Sequence, residues 1–255
     1  MVISADDATS DNDAFTNILR LIVLSSGDYF ILKDTVSDIV VHALQQHCDF
    51  LAKAFHSRLG TSSAPLTLPR LIASLSDCKL HLSRISTYLS TYVFATHDLE
   101  NLDSDIPLSE TITSKALTVF RTECKKLKIH LDESATLPPS LISGQHIRME
   151  RIDGFATRWA TTEQYLEFTR LRQRTRLLGR PFDAWLARAG ISIQRSTGGV
   201  EAVPILAYLV TQCVKDLIDV ALANRQKFGI DLYSQMTAVE LQRASLLIQR
   251  MNGYL

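Results

Sequence analysis

The chain has 255 residues, of which 46% are hydrophobic and 21% charged, a composition that fits one large or two small globular domains and excludes a largely disordered chain. Its 27 basic and 27 acidic side chains cancel, so no overall attraction to nucleic acid or to a membrane is indicated. The four cysteines form no CxxC pair and are expected to be free thiols in a reducing compartment. Without a basic, apolar leader or an apolar run of membrane-spanning length, the protein is expected to be soluble and intracellular.

The first part of the chain has the periodicity of helices. A short apolar helix is predicted over residues 14–25, and a long one from about residue 34 to 59 has apolar positions at intervals of three and four. A short helix near 69–76 and a more polar one ending near Tyr92 follow. Glycine and proline are scarce, with ten and seven residues, which also favours an all-helical chain.

The middle of the chain is predicted to connect two helical parts. Residues 98–110 contain five acidic and no basic side chains, which is typical of a solvated linker. An amphipathic helix is predicted over 109–131, and TLPPSLISG at 136–144 predicts a second break. The predicted segments are an N-terminal part with its following helix (1–93), an acidic linker with a connecting helix (94–147) and a basic helical stretch with a C-terminal part (148–255).

The C-terminal part repeats the helix order of the N-terminal part. A short helix is predicted over PFDAWLARA, ended by Gly190, and a loop at 191–199 precedes a long helix over 200–228. A last helix is predicted from Thr237 towards Asn252. The order short, long, short therefore occurs twice.

This repeated order is the plan of a histone fold, in which a long central helix carries a short helix over each end. The apolar stripe of the second long helix is too broad for two short helices to cover, so the halves are expected to pair with each other. The predicted fold is all-α, with two histone folds in one chain paired intramolecularly as a histone-like heterodimer. A generic helical bundle is the alternative that periodicity leaves open. The predicted pairing core consists of Val40, Ala43, Leu44, Leu51, Phe55, Leu206, Leu209, Val210, Cys213 and Leu217.

No motif of an enzyme or of a metal site is found. The sequence has no phosphate-binding GxxxxGKS/T, no GxGxxG and no HExxH. His42, His47 and Cys48 lie on one predicted helix at spacings that do not converge on a metal ion. We therefore expect no catalytic residues, no metal and no cofactor.

Arginine is concentrated in residues 145–195. This stretch has ten arginines, no lysine and five acidic residues, so its local charge is 10 − 5 = +5. Such a stretch is a candidate contact surface for nucleic acid or for an acidic protein, represented by Arg170, Arg172, Arg174 and Arg176. The alternative is that these arginines pack against neighbouring helices and pair with their acidic residues.

Several motifs carry a resemblance to a known family. In the C-terminal half they are Arg148-Met149-Glu150-Arg151, FxxWL at Phe182 and Trp185, ILAYL at 205–209, LIDVAL at 217–222, and Arg225-Gln226. In the N-terminal half they are Phe15 and the Ser26-Gly27-Asp28 turn. With these motifs the chain resembles the Spt-three family, the histone-fold subunit of the SAGA transcriptional coactivator that engages the TATA-binding protein.

The resemblance implies a nuclear, non-enzymatic protein that positions the TATA-binding protein at RNA polymerase II promoters. Its two histone folds would resemble the TFIID factors numbered thirteen and eleven. Expected partners are the TATA-binding protein, other SAGA subunits and, weakly, DNA, with no membrane and no small-molecule substrate. The alternative is a histone-fold pair of TFIID, or of another chromatin complex, that binds DNA directly.

The resemblance also implies a contact surface on the second long helix. The acidic position that the family directs towards the TATA-binding protein falls on Gln212. Asp216 and Asp219 follow at spacings of four and three, so the three residues share one helix face. We expect this face to be exposed and its two carboxylates to supply the charge that Gln212 lacks.

A structural expectation concerns the FxxWL motif. Phe182 and Trp185 are three residues apart and share a helix face. They are expected to be buried against the long C-terminal helix near Leu206 or Val210, with the indole N–H donating to an acceptor.

Overall fold

The structure is a computed structural model, which describes residues 5–28, 36–60, 64–95, 110–130, 137–172, 175, 177, 179–193, 199–251 and 253–255. These residues contain helices and no β-strand, which confirms the all-α class. The α-helices are α1 (Ala5–Leu24), α2 (Val36–Leu59), α3 (Leu68–Ser74), α4 (Lys79–Ala95), α5 (Glu110–Lys126), α6 (Pro139–Gly154), α7 (Thr162–Arg172), α8 (Arg180–Arg188), α9 (Gly199–Lys227) and α10 (Ala238–Gln249). A short π-helix, Phe155–Trp159, lies between α6 and α7.

The two predicted short–long–short units, α1–α3 and α8–α10, end their helices in the same way. A glycine with positive φ follows each long helix, Gly60 at 73° after α2 and Gly229 at 65° after α9. Glycines with positive φ also follow the first helix of each unit, Gly27 after α1 and Gly190 after α8. With 20 residues, α1 is longer than the short helix predicted over 14–25. Because the left-handed region is open to glycine at no steric cost, these four positions stop the helices at corresponding points.

The last short helix of each unit begins with a threonine cap. The Thr67 hydroxyl accepts the Arg70 N–H at the start of α3, and the Thr237 hydroxyl accepts the Glu240 N–H at the start of α10. At the second cap the Glu240 carboxylate also accepts the Thr237 backbone N–H, at 2.7 Å, which completes a capping box. The residue before each threonine, Leu66 or Met236, is buried.

One continuous core joins the two units. All ten residues of the predicted pairing core are buried and belong to this core. α9 lies at its centre and packs against α1, α2, α3, α4, α5, α6 and α10. The long helices α2 and α9 therefore meet, as expected, and α10 also packs on both of them.

The predicted break over 136–144 extends too far, because residues 137 and 138 lie before α6 but residues 139–144 are helical. Pro138 and Pro139 form the cap and first turn of α6, where a missing N–H costs nothing, and the helix continues through Ser143 and Gly144 to Gly154. A Cβ atom at Gly144 would lie only 2.0 Å from the Asp219 carbonyl oxygen, so glycine here permits α6 to lie directly on the α9 backbone. The proposed boundary between 147 and 148 falls inside α6. The acidic linker predicted over 98–110 lies outside the described residues except for Glu110, where α5 begins.

Changing Gly144 to alanine is expected to lower the free energy of unfolding by about 1–3 kcal/mol. The added methyl group meets backbone atoms of α9, which cannot move aside as a side chain would. Urea unfolding followed by circular dichroism measures the effect, with Ser143→Ala on the same helix as the control. An unchanged urea midpoint for Gly144→Ala would contradict the close approach of α6 and α9.

Candidate functional site

Asp216, a predicted contact residue, is buried and fully engaged. The Arg84 guanidinium of α4 donates to both of its carboxylate oxygens, at 2.6 and 2.7 Å, and the Tyr254 hydroxyl donates to Oδ2 at 2.5 Å. Only 1% of Asp216 is exposed. Burial disfavours the Arg84 cation, but the hydrogen bond and attraction from Asp216 outweigh it, so the pKa of Arg84 is raised.

Asp219 is held in the same way by a different helix. The Arg148 guanidinium of α6 donates to Oδ1 at 2.7 Å and to Oδ2 at 3.2 Å, and Asp219 has no exposed surface. Burial raises the pKa of this carboxyl group, and Arg148 offsets part of the rise.

The prediction of an exposed acidic face at Gln212, Asp216 and Asp219 is therefore wrong. Gln212 is half-buried, and the two carboxylates face α4 and α6, which lie over this side of α9. Helical spacing correctly placed the residues on one face. It could not show that helices outside the repeated units cover that face. Arg148 stood in a motif of the resemblance, but the roles of Arg84 and Arg148 as partners of these carboxylates were not predicted.

A neutral histidine lies beside the Asp216 cluster. The His81 ring packs edge-on against Tyr254, with centroids 4.9 Å apart, and is completely buried. Burial and the neighbouring Arg84 charge lower the pKa of His81 to about 3. His47, buried between α2 and α10 with Nδ1 2.9 Å from the Ser245 hydroxyl, has its pKa lowered to about 4 by burial.

We expect His81 to make the protein sensitive to acid. Its folded-state pKa lies below the unfolded value near 6.5, so only the unfolded chain binds a proton as the pH falls below about 6.5. The free energy of unfolding should therefore fall, by about 2–3 kcal/mol from this residue between pH 7.5 and 4.5. Urea unfolding of the native chain and of His81→Leu at both pH values measures this, because leucine removes the proton linkage. A difference between the two proteins that is equal at both pH values would exclude it.

Two loop contacts connect the repeated units at opposite ends. At the first loop contact, the Asp28 carboxylate after α1 accepts the backbone N–H of Met236, which precedes α10, at 2.7 Å. At the second, the Leu66 N–H before α3 donates to the carbonyl oxygen of Ser192, after α8, at 2.9 Å. Each contact thus joins the loop after the first short helix of one unit to the loop before the last short helix of the other.

Buried charges surround the first loop contact. Arg151 of α6 is 1% exposed, lies 3.8 Å from the Asp28 carboxylate and donates to the Ser234 carbonyl oxygen at 3.2 Å. Arg225, also 1% exposed, binds both oxygens of the Glu240 carboxylate at 2.6 and 2.9 Å. Burial lowers the pKa of Arg151, with Asp28 opposing the shift. The contact is therefore a polar cluster inside the fold.

The FxxWL motif packs differently from the expectation. Phe182 and Trp185 are buried and stack on each other with ring centroids 5.4 Å apart, which confirms their shared buried face. Trp185 also stacks on Phe15 of α1 at 5.9 Å, and α8 packs mainly against α1 rather than against α9, the helix expected to cover this motif. The indole Nε1 has no hydrogen-bond acceptor among the described residues, contrary to the expectation.

The predicted basic surface is only partly described. Arg170 is exposed on α7 and lies 4.0 Å from Glu167. Arg172 ends that helix, but its side chain, like Arg174 and Arg176, lies outside the described residues. A second basic cluster, which was not predicted, lies at the end of α5, where the exposed side chains are Arg121, Lys125, Lys126 and Lys128. Its sequence signal was four cations within eight residues, RTECKKLK.

The described residues offer little metal or thiol chemistry. They contain no group of three or more histidine, cysteine or acidic side chains that could hold a metal ion. The four cysteines are free and buried, as predicted for free thiols, and burial raises the pKa of Cys78 to about 11 and of Cys213 to about 12. No helix in the described ranges combines the length and apolarity that crossing a bilayer needs.

Comparison of the chain with family models, with curated proteins and with solved structures finds no match. The resemblance to the Spt-three family therefore stays a prediction.

Proposed function

We propose that the chain is a pair of histone folds on one polypeptide, α1–α3 forming the first and α8–α10 the second. The two loop contacts carry this proposal. In a pair related by approximate two-fold symmetry, a contact between the first loop of one unit and the second loop of the other occurs twice. Asp28 with Met236, and Ser192 with Leu66, are such a pair of contacts.

An ion pair also occurs near the end of each long helix. Near the end of α2, Arg58 donates to both oxygens of Asp77, at 2.6 and 3.2 Å, just after α3. Near the end of α9, Arg225 binds both oxygens of Glu240 in the first turn of α10. Each long helix is thus tied by an arginine to an acidic residue of the short-helix segment that follows it.

Residues that carry the resemblance to the Spt-three family meet in space. Gly27 and Asp28 belong to one matching motif, and Arg151 belongs to another more than a hundred residues later. A Cβ atom at Gly27 would lie 2.8 Å from the Arg151 Cβ, and Asp28 forms the ion pair with Arg151. Matching residues that build a common contact support the resemblance better than scattered matches would.

The function that follows is a non-catalytic, nuclear coactivator subunit of the Spt-three type that positions the TATA-binding protein. The double histone fold serves as a rigid scaffold for that protein and for other SAGA subunits. Asp216 and Asp219 hold α4 and α6 in this scaffold, so the proposed contact with the TATA-binding protein lies elsewhere on the molecule.

A binding titration tests the proposed activity. Purified full-length chain is titrated with the TATA-binding protein at low salt, and with lysozyme as a basic protein of unrelated fold. We expect saturable binding of the TATA-binding protein, with affinity that falls as salt is added because charge complementarity drives the encounter. Equal responses to the two proteins would exclude the TATA-binding protein as a specific partner.

The basic cluster at the end of α5 favours a second candidate function, direct contact with DNA. Lys128 adopts a φ of 54°, a conformation that usually selects glycine, and so places a further cation beside Lys125 and Lys126. If the cluster binds phosphates, an electrophoretic shift with random duplex DNA should show affinity falling steeply with salt. Changing Lys125 and Lys128 to glutamine should then lower the slope of log affinity against log salt by about 2. An unchanged slope would exclude this cluster as the DNA contact.

A further inference from the structure

A half-open cleft lies between α2 and α8, both of which pack on α1. Its volume is about 450 Å³. The apolar floor is formed by Phe15 of α1, Cys48 and Ala52 of α2, and Trp185 of α8, each less than 9% exposed. Ala52 is the smallest of these side chains, so an inserted side chain would have most room above it.

The cleft is elongated along α2. Its rim includes His42 at one end and His56 at the other, which are 14 residues apart and therefore about 21 Å apart along the helix axis. A groove of this length matches about four turns of a helix or six residues of an extended peptide. These dimensions fit a polypeptide segment better than a compact metabolite.

One end of the cleft is basic. Lys53 and Arg188 are exposed there on facing helices, and His56 lies beside them, near Gly190. Asp49, one turn before Lys53, is the acidic residue on the lining. The exposed cationic side chains of two facing helices at this end favour carboxylates in an occupant.

A buried donor beside the floor has no partner. Trp185 is 4% exposed, and its Nε1 atom has no acceptor among the described residues. Leaving a buried N–H without an acceptor is unfavourable. An occupant that displaces the rim would bring a carbonyl or carboxylate oxygen to this N–H, and the hydrogen bond between them would stabilise the complex. A ligand of this cleft would therefore carry an apolar group for the floor, an anionic group for the basic end and a hydrogen-bond acceptor for the Trp185 Nε1 donor.

We infer that this cleft binds an acidic segment of a partner protein, which inserts a large apolar side chain over Ala52 and directs carboxylates towards Lys53 and Arg188. Peptides that lay an apolar face into a groove and place charges on its rim are a common mode of recognition. The inference concerns a surface separate from the α5 cluster and does not depend on binding of the TATA-binding protein.

A fluorescence-anisotropy titration of the full chain tests the inference. The probe is fluorescein-labelled Glu-Asp-Ser-Leu-Asp-Phe-Leu-Asp-Glu-Leu-Ser-Glu, and a second peptide has serine in place of every leucine and phenylalanine. We expect the first peptide to bind with a Kd of order 10 µM and the second to bind at least about tenfold more weakly. Lys53→Glu with Arg188→Glu should weaken binding of the first peptide by at least about tenfold.

The matched control is Lys79→Glu with Lys227→Glu, which changes the net charge equally at exposed lysines that do not line the cleft. Its affinity should stay within about twofold of that of the native chain. If the reversed pair does not fold, Lys53→Gln with Arg188→Gln removes the same charges without adding repulsion. Three results would each overturn the inference. They are equal affinity of the cleft and control variants, no binding of the peptide that contains leucine and phenylalanine, and displacement of that peptide by random duplex DNA.

Discussion

Replacing Asp216 with lysine is expected to unfold the chain under conditions in which the native protein is stable. The substitution removes the partner of the buried Arg84 guanidinium and the acceptor of the Tyr254 hydroxyl, and it places a second cation beside the first. Breaking a buried ion pair by removing one partner costs about 3–5 kcal/mol, a large part of the 5–15 kcal/mol that stabilises a typical domain. Urea unfolding followed by circular dichroism measures the loss.

Two further variants distinguish the effect of the charge change from the effect of its buried position. Asp216→Asn keeps the shape and one acceptor, so it should lose less stability than the lysine variant, although Arg84 stays unpaired. Glu150→Lys changes charge in the same sense at an exposed position of α6 and should shift the free energy of unfolding by no more than about 0.5 kcal/mol. A native-like urea midpoint for Asp216→Lys would mean that Asp216 is free for a partner, as the resemblance implied.

The second large effect is expected for Trp185→Ala. The indole is buried between Phe15 and Phe182, so its removal leaves a cavity between α1 and α8 and should lower the free energy of unfolding by about 3–5 kcal/mol. Because the Nε1 donor has no acceptor within the described part of the chain, the loss should fall towards the lower value.

The control for this variant is Tyr165→Ala, which removes an aromatic side chain that is 44% exposed on α7. Its free energy of unfolding should change much less, because a half-exposed ring leaves no closed cavity. A second measurement follows the near-ultraviolet circular dichroism, to which an immobilised indole contributes. Equal urea midpoints for the two variants would contradict the stacked arrangement of Phe15, Trp185 and Phe182.

Much of the fold could be predicted because burial within a helix has a regular period. The pairing-core residues, such as Leu44 and Leu209, are buried as their spacing predicted. The predicted bounds of the long helices lie close to those of α2 and α9, because a glycine stops each of them. These features depend on local sequence, and they could therefore be predicted from it.

The errors came from contacts between distant parts of the chain. Residues 136–144 contain two prolines and a glycine, a pattern of a break, yet Gly144 is helical because the α9 backbone lies against it. Spacing placed Asp216 and Asp219 on one face of a helix, but Arg84 and Arg148 cover that face from segments that precede their partners by 132 and 71 residues, respectively. Trp185 likewise packs on Phe15, which belongs to a distant part of the chain. Periodicity identifies faces, and only the tertiary fold assigns their neighbours.

The two loop contacts have a consequence for how the chain behaves in a mixture. Because Asp28 and Met236, like Leu66 and Ser192, belong to one polypeptide, each half meets its counterpart at an effective concentration set by the connecting chain. Dilution does not separate such halves, and a competing protein in solution must displace a half that is tethered to its counterpart. The melting temperature should therefore be independent of protein concentration, and the ratio of the two halves is fixed at one to one by translation itself.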